Sequence, residues 1–248
     1  MQDKIWIFPA NKNTSDERQL AVTFGDVLKA AWKGLLIALV CSVALVLLFA
    51  LLADKVFDKG LVNTDNRIAL WSYSLTNPVL TFGLTVITEI GSPLGIAILT
   101  GLTIGFFIWR KMYAYACLAA LTSLGSAIIN ETLKQIFHRV RPDLLPGGPH
   151  LTSYSFPSGH STGSICFFGF LIWASWKLLK SQPLKIVITI ALSLMILLVG
   201  FSRIYLGFHY PTDVLGAYLS GGCWLIALLS SYNIFYRYRH FHSKDKQA

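Results

Sequence analysis

The sequence predicts an all-α integral membrane bundle of six transmembrane helices with a polar site on its outer face. Three observations carry that prediction. Hydrophobic residues make up 54% of the 248-residue chain and charged residues only 13%, far from the balance of an average soluble domain. Six uncharged runs are each long enough to cross a hydrocarbon core of about 30 Å, which takes about 20 helical residues. The residues able to do chemistry collect at the ends of four of those runs, on one side of the membrane.

The runs are 34–53, 90–109, 112–130, 157–176, 186–202 and 214–236. Only short interruptions separate them, and no repeat or low-complexity tract intervenes, so one membrane domain is expected over 31–236. Residues 1–30 read as a cytoplasmic N-terminal segment and 237–248 as a basic cytoplasmic tail. The polar start, with "NKNTSDERQ", lacks a basic stretch, short apolar core and cleavage site, so the first helix is expected to stay as an uncleaved anchor. With six spans and both termini inside, 14 of the 21 Lys and Arg residues lie inside and 7 outside, the usual bias. A further uncharged stretch, 68–88, would weaken that bias if it spanned. Asn77-Pro78 and the polar Ser72, Tyr73, Ser74 and Thr76 interrupt it, so it is assigned to the outer interface.

The net charge of +9 has no nucleic-acid signature, because the basic residues are spread over loops without interleaved aromatics. Cys41, Cys117, Cys166 and Cys223 each stand alone in a different apolar run, so neither a disulfide framework nor a metal site is expected. No cofactor motif and no signal for an oligomeric state is present.

In this topology the third run ends outside, the fourth begins there, the fifth ends there and the sixth begins there. "LKQIFHRVRPD" follows the third run and spaces Lys134 and Arg141 by seven residues, two helical turns, so both cations can point one way before Pro142 ends the element. Two fixed cations suit a dianion, and they lie where the positive-inside bias would remove a merely decorative charge. "SYSFPSGHSTGS" opens the fourth run. Pro157 starts the turn, Gly159 lets backbone approach a ligand, Ser158 offers a hydroxyl, and a helix N-terminus is an anion site. "GFSRIYLGFHYPTDVLG" joins the last two runs, with Ser202 and Arg203 closing one and His209 and Asp213 opening the other. A carboxylate one turn from an imidazole fixes its tautomer and frees the second nitrogen to attack or to accept a proton.

Together these residues suit phosphoryl transfer through a histidine. Lys134, Arg141, Arg203 and the backbone near Gly159 would hold the phosphorus oxygens. His209 would attack in line, Asp213 would orient it, and His160 would act as general acid and then general base.

The residues resemble the type 2 phosphatidic acid phosphatase (PAP2) family, whose pattern is Lys-x6-Arg-Pro, Pro-Ser-Gly-His and Ser-Arg-x5-His-x3-Asp. Here the parts stand at Lys134 to Pro142, Pro157 to His160 and Ser202 to Asp213, with every defining position and spacing present. The resemblance implies metal-independent hydrolysis without a cofactor. It places His209, His160 and Asp213 in catalysis and Lys134, Arg141, Ser158, Gly159 and Arg203 in phosphate binding. Six apolar spans favour the integral membrane branch, and hence a lipid phosphate presented at the bilayer as the partner. Undecaprenyl diphosphate, phosphatidylglycerol phosphate and phosphatidate are the candidates. Two rivals stay open: transfer to an acceptor other than water, and a binding or translocating protein that does not turn over.

Other polar residues have plainer readings. Glu131, three residues before Lys134, is expected to pair with it on one helix face, and Glu89 to contact substrate or face outer water. His138 and His150 read as loop residues and His240 and His242 as part of the tail. The loop 143–154 has the Gly and Pro content of an irregular cover.

Overall fold

A computed structural model of the chain describes residues 24–144 and 152–245, and among these every regular element is a helix. In chain order they are α1 (Phe24–Phe57), α2 (Val62–Ser74), α3 (Pro78–Ile90), α4 (Pro93–Trp109), α5 (Tyr113–Phe137), α6 (Gly159–Leu178), α7 (Gln182–Tyr205) and α8 (Pro211–Asp245).

Local chemistry explains the breaks. Asn77 caps α3 by accepting from the Leu80 amide at 2.9 Å, Ser92 caps α4 by accepting from Gly95 at 3.0 Å, and a proline follows each cap where its missing N–H costs nothing. The α5 helix stops at Phe137, because His138 takes the left-handed conformation with φ of 46°.

Among the described residues four helices are long and apolar enough to cross a bilayer by themselves, namely α1 over Gly34–Phe57, α5, α7 and α8 over Pro211–Tyr236. The α3 and α4 helices, bent by 52° at the break between them, make a fifth candidate when taken as one broken span. The stretch 68–88 is not one continuous element. Its first part belongs to α2, and its second part is α3, which runs along α7 and leads into α4. The α6 helix is less apolar for a structural reason. It packs against α4, α5, α7 and α8 and buries Ser161, Thr162 and Ser164, so it fills the centre of the bundle.

The surface is inverted relative to a soluble protein. Large apolar side chains such as Ile37, Leu51, Leu102 and Ile190 face outward, while Thr88, Thr100, Thr122, Ser126 and Asn130 are buried. Small residues let the helices approach. A side chain at Gly125 would collide with the indole of Trp224, the kind of contact that packs helices in membranes. The aromatic layer between α4, α5 and α6 continues the packing, with Phe107 edge-on to Phe170 at 6.3 Å.

Neighbouring α5, α6, α7 and α8 alternate in direction, so the end of α5, the start of α6, the end of α7 and the start of α8 meet at one end of the bundle. The α2 helix lies over that end, against α7 and α8.

Candidate active site

His209 lies in the short turn between α7 and α8 and is 2% exposed. The turn is tight: Phe208 and His209 both donate their amides to the Arg203 carbonyl. Pro211 then starts α8 and puts Asp213 one turn on, fully buried, with Oδ2 3.3 Å from His209 Nδ1. The other ring nitrogen, Nε2, meets the Arg141 guanidinium at 3.1 Å. Burial pushes the imidazole down to about 4, against the raising effect of Asp213, so at neutral pH the ring is uncharged. Nδ1–H donating to Asp213 leaves the Nε2 lone pair on the side of the cations.

Arg141 reaches this point by a route that helical spacing does not describe. It lies four residues past the end of α5, so it does not share a helix face with Lys134. The loop after α5 folds back instead. Arg141 donates to the Ser153 carbonyl at 2.8 Å, the Ser153 hydroxyl at 2.9 Å and the Phe208 carbonyl at 2.8 Å. These acceptors are neutral, and burial pushes its ionisation down against the raising effect of the nearby Asp213 carboxylate.

Arg203, 5% exposed at the end of α7, donates to Thr88 Oγ1 at 2.9 Å, and its guanidinium carbon lies 3.9 Å from the centre of the Phe208 ring. Its Nε is buried without a hydrogen-bond partner, an unusual cost for a charged group. Lys134, in the last turn of α5, sits within the electrostatic reach of Arg141, Glu131, Asp213 and Arg203. The expected Glu131–Lys134 pair acts only through its charge, without a close ion-pair contact, because Glu131 accepts from Gln135 at 2.7 Å, one turn further along the exposed face.

The start of α6 completes the cluster. Ser158 makes no side-chain cap, so the first-turn amides after it keep no capping acceptor from that residue. Its hydroxyl instead accepts from Ser161 at 3.1 Å, and its own amide donates to the Asp213 carbonyl at 3.1 Å. A Cβ at Gly159 would stand 3.1 Å from Asn130 Oδ1, a tight contact that glycine avoids. Asn130 itself ties α5 to this turn through the Pro157 carbonyl and Thr162 Oγ1, both at 3.1 Å. His160 is half-buried, with Arg203, His209, Lys134 and Arg141 as its charged or titratable neighbours. The Phe156–Pro157 peptide is cis.

Lys134, Arg141, Ser158, Gly159, His160, Arg203, His209 and Asp213 thus converge at one end of the bundle. His150 and most of the loop 143–154 lie outside the described residues, while His138 stacks edge-on against Tyr154, with ring centres 4.4 Å apart. The sequence reading missed Asp65, Arg139, Ser155, Asn130 and Thr88. A second arginine two residues before Arg141 was the available signal for Arg139; nothing local marks the others.

Residues 113–237 match the PAP2 superfamily, and that interval contains all three motif segments. Over 182 residues the chain is 34% identical to phosphatidylglycerophosphatase B of Bacillus subtilis, covering 72% of this chain and 88% of that one. The chain belongs to the PAP2 superfamily.

Two further likenesses place it within PAP2. Undecaprenyl-diphosphatase BcrC of Bacillus subtilis is 33% identical over 112 residues, covering 44% of this chain and 51% of that one. The crystal structure of a transmembrane PAP2-type phosphatidylglycerolphosphate phosphatase from Bacillus subtilis superposes with a TM-score of 0.70 at 30% identity. That match covers 77% of this chain and 96% of the other. The protein is therefore a multi-pass membrane member of a family of lipid phosphatases.

Proposed function

We propose that this PAP2 protein hydrolyses the phosphomonoester or diphosphate of a lipid through a phosphohistidine on His209, without a metal or other cofactor. In this reading α6 also spans and brings the number of spans to six, the domain runs over 31–236, both termini are cytoplasmic and the site faces outward. The observation that carries it is the His209 ring, held between Asp213 on Nδ1 and the cation Arg141 on Nε2.

Each step has a group on hand. The phosphate of the substrate competes with the His209 lone pair for the Arg141 guanidinium and takes up the unpartnered Nε of Arg203. Lys134, Ser158 and the amides from Gly159 onward hold the remaining oxygens, where charge redistributes in the transition state. A bond forms between Nε2 and phosphorus as the bond from phosphorus to the leaving oxygen breaks, and His160 gives that oxygen a proton. Asp213 stabilises the imidazolium. Water then attacks phosphorus, loses its proton to His160 and releases His209 and inorganic phosphate.

The relatives bear the names of a phosphatidylglycerophosphatase and an undecaprenyl-diphosphatase, so both lipids, with phosphatidate, are the substrates to compare. The test is phosphate release by purified protein with chelator present from the three lipids side by side, with His209→Ala as control. Release by the wild type and its loss in the variant support the reading. Substrate loss without free phosphate would replace hydrolysis by transfer to another acceptor, and no substrate loss at all would leave a binding role.

A further inference from the structure

Two charges, one buried and one largely buried, lie outside the roles assigned above. Asp65, on α2, is 1% exposed, and Arg139, in the loop after α5, has a side chain 12% exposed. Arg139 forks between two carboxylates: one nitrogen reaches Asp65 Oδ2 at 2.7 Å, the other Asp213 Oδ1 at 2.5 Å and Thr212 Oγ1 at 2.7 Å. Asp65 in turn accepts from the Thr212 amide at 3.1 Å and the Thr212 hydroxyl at 2.6 Å, and so holds the residue just before Asp213. The Tyr210 ring covers the guanidinium at 4.3 Å.

The division of labour on Asp213 is informative. Arg139 takes Oδ1, whereas Oδ2 is left for His209 Nδ1, the Ser155 hydroxyl and the Tyr210 amide. A carboxylate gripped this way cannot rotate. A buried Asp213 without a cation would also be costly, since removing one partner of a buried pair leaves an uncompensated charge.

We propose that Asp65 and Arg139 form a positioning pair that fixes the Asp213 carboxylate toward His209 and sets the charge that His209 experiences. This rests on His209 being the nucleophile. Neither residue touches substrate in this arrangement. Both act through Asp213, so a surface helix, α2, contributes directly to the readiness of the attacking ring.

Charge gives the test its sign. His209 faces Asp213 from α8, Arg141 from the loop after α5, Arg203 from α7 and His160 from α6. Lys134 of α5 lies beyond Arg141, Tyr210 stacks on Arg139, and Asp65 and Arg139 stand behind Asp213. Removing the positive charge of Arg139 makes His209 easier to protonate, and removing the negative charge of Asp65 makes it harder.

The experiment measures kcat/KM and kcat against pH for the full-length protein in detergent with one lipid phosphate. Wild type, Asp65→Asn, Arg139→Gln, Arg139→Lys and His209→Ala are compared; ionisation of the substrate is common to all and cancels. Arg139→Gln moves the acid limb of kcat/KM up, and Asp65→Asn moves it down, each by about 0.5–1 pH unit. Both lower kcat by about 10–100-fold, as loss of a supporting partner does elsewhere. Arg139→Lys keeps the charge but replaces the planar two-nitrogen fork by a single nitrogen, so its limb stays in place while the aim of Asp213 loosens and kcat falls.

Limbs that do not move, or that move in one direction for both charge removals, overturn the proposal and leave a tie between α2 and α8. If Arg139→Gln does not fold, Asp65→Asn and Arg139→Lys decide it by the same criteria. Activity retained by His209→Ala would instead sink the nucleophile reading on which the proposal stands.

Discussion

Replacing Asp213 by asparagine changes one atom, and the structure says which way the new amide turns. In the wild type Oδ1 receives Arg139, and Oδ2 receives Ser155, the Tyr210 amide and His209. Two of the three donors on Oδ2 can adapt, because a hydroxyl rotates and an imidazole changes tautomer. Arg139 and the Tyr210 amide cannot. The Arg139 bond is charge-assisted, worth about 1.5–3 kcal/mol, against about 0.5–1.5 kcal/mol for the neutral amide. The carbonyl of the introduced side chain therefore stays with Arg139, and its NH2 faces His209. That forces the hydrogen of His209 onto Nε2, the nitrogen that attacks in the proposed mechanism. In a Ser-His-Asp triad the same carboxylate-to-amide change costs about 10⁴-fold in kcat through the wrong tautomer, about 5.4 kcal/mol at 1.36 kcal/mol per decade. The expected loss for Asp213→Asn is about 10³–10⁴-fold in kcat with little change in KM. Because Arg139 keeps Asp65, the stability loss should stay below the 3–5 kcal/mol, roughly, of a buried pair fully broken. The assay is phosphate release from lipid phosphate in detergent, paired with thermal unfolding. A kcat within tenfold of the wild type in folded protein would refute the tautomer argument.

Other consequences are open to measurement. His160→Gln should lower kcat with lipid substrate by about 10²–10⁴-fold; with p-nitrophenyl phosphate, whose leaving group needs no proton, protein quenched in alkaline detergent, where a phosphohistidine survives, should retain radiolabelled phosphate, and absence of label would argue against a covalent intermediate. Arg203→Met should reduce kcat/KM by about 10²–10³-fold yet raise the thermal midpoint, because it removes a buried cation whose Nε has no partner. A fall in the midpoint would show that the Thr88 and Phe208 contacts outweigh that cost. His209 has a folded value of about 4 against 6.5 when free. The unfolded chain binds more protons between those values, so stability should be full above pH 6.5 and decline as pH falls toward 4. His209→Gln should flatten that decline, and an unchanged profile would show that the ring is not buried neutral.

Much of the site was legible because its residues are spaced on short segments. The four residues from His209 to Asp213 are one helical turn, and Pro157 to His160 is a proline-initiated helix start, so chain-local geometry fixes both. Lys134 and Arg141 were correctly paired in space for the wrong local reason. The helix stops at His138, and the long guanidinium returns through contacts with Ser153 and Phe208 that no spacing rule contains. Helical periodicity likewise suggested the Glu131–Lys134 pair, but Gln135 was the better-placed partner on the exposed face.

The sequence by itself determined that the chain is helical and membrane-embedded, and that the PAP2 pattern lies between Lys134 and Asp213. Apolar run length and motif spacing are properties of consecutive residues, and a lipid environment requires backbone bonds to be closed within each segment. Only the tertiary structure decided that α3 and α4 form a bent pair, that α6 lies at the centre, and that Asp65 and Arg139 stand behind Asp213. Asp65 and Asp213 are 148 positions apart, and Arg139 meets both only because α2 folds over the ends of α7 and α8. Buried charges choose partners by proximity in three dimensions, where the cost of leaving one unpaired is felt, and a linear sequence does not record that proximity.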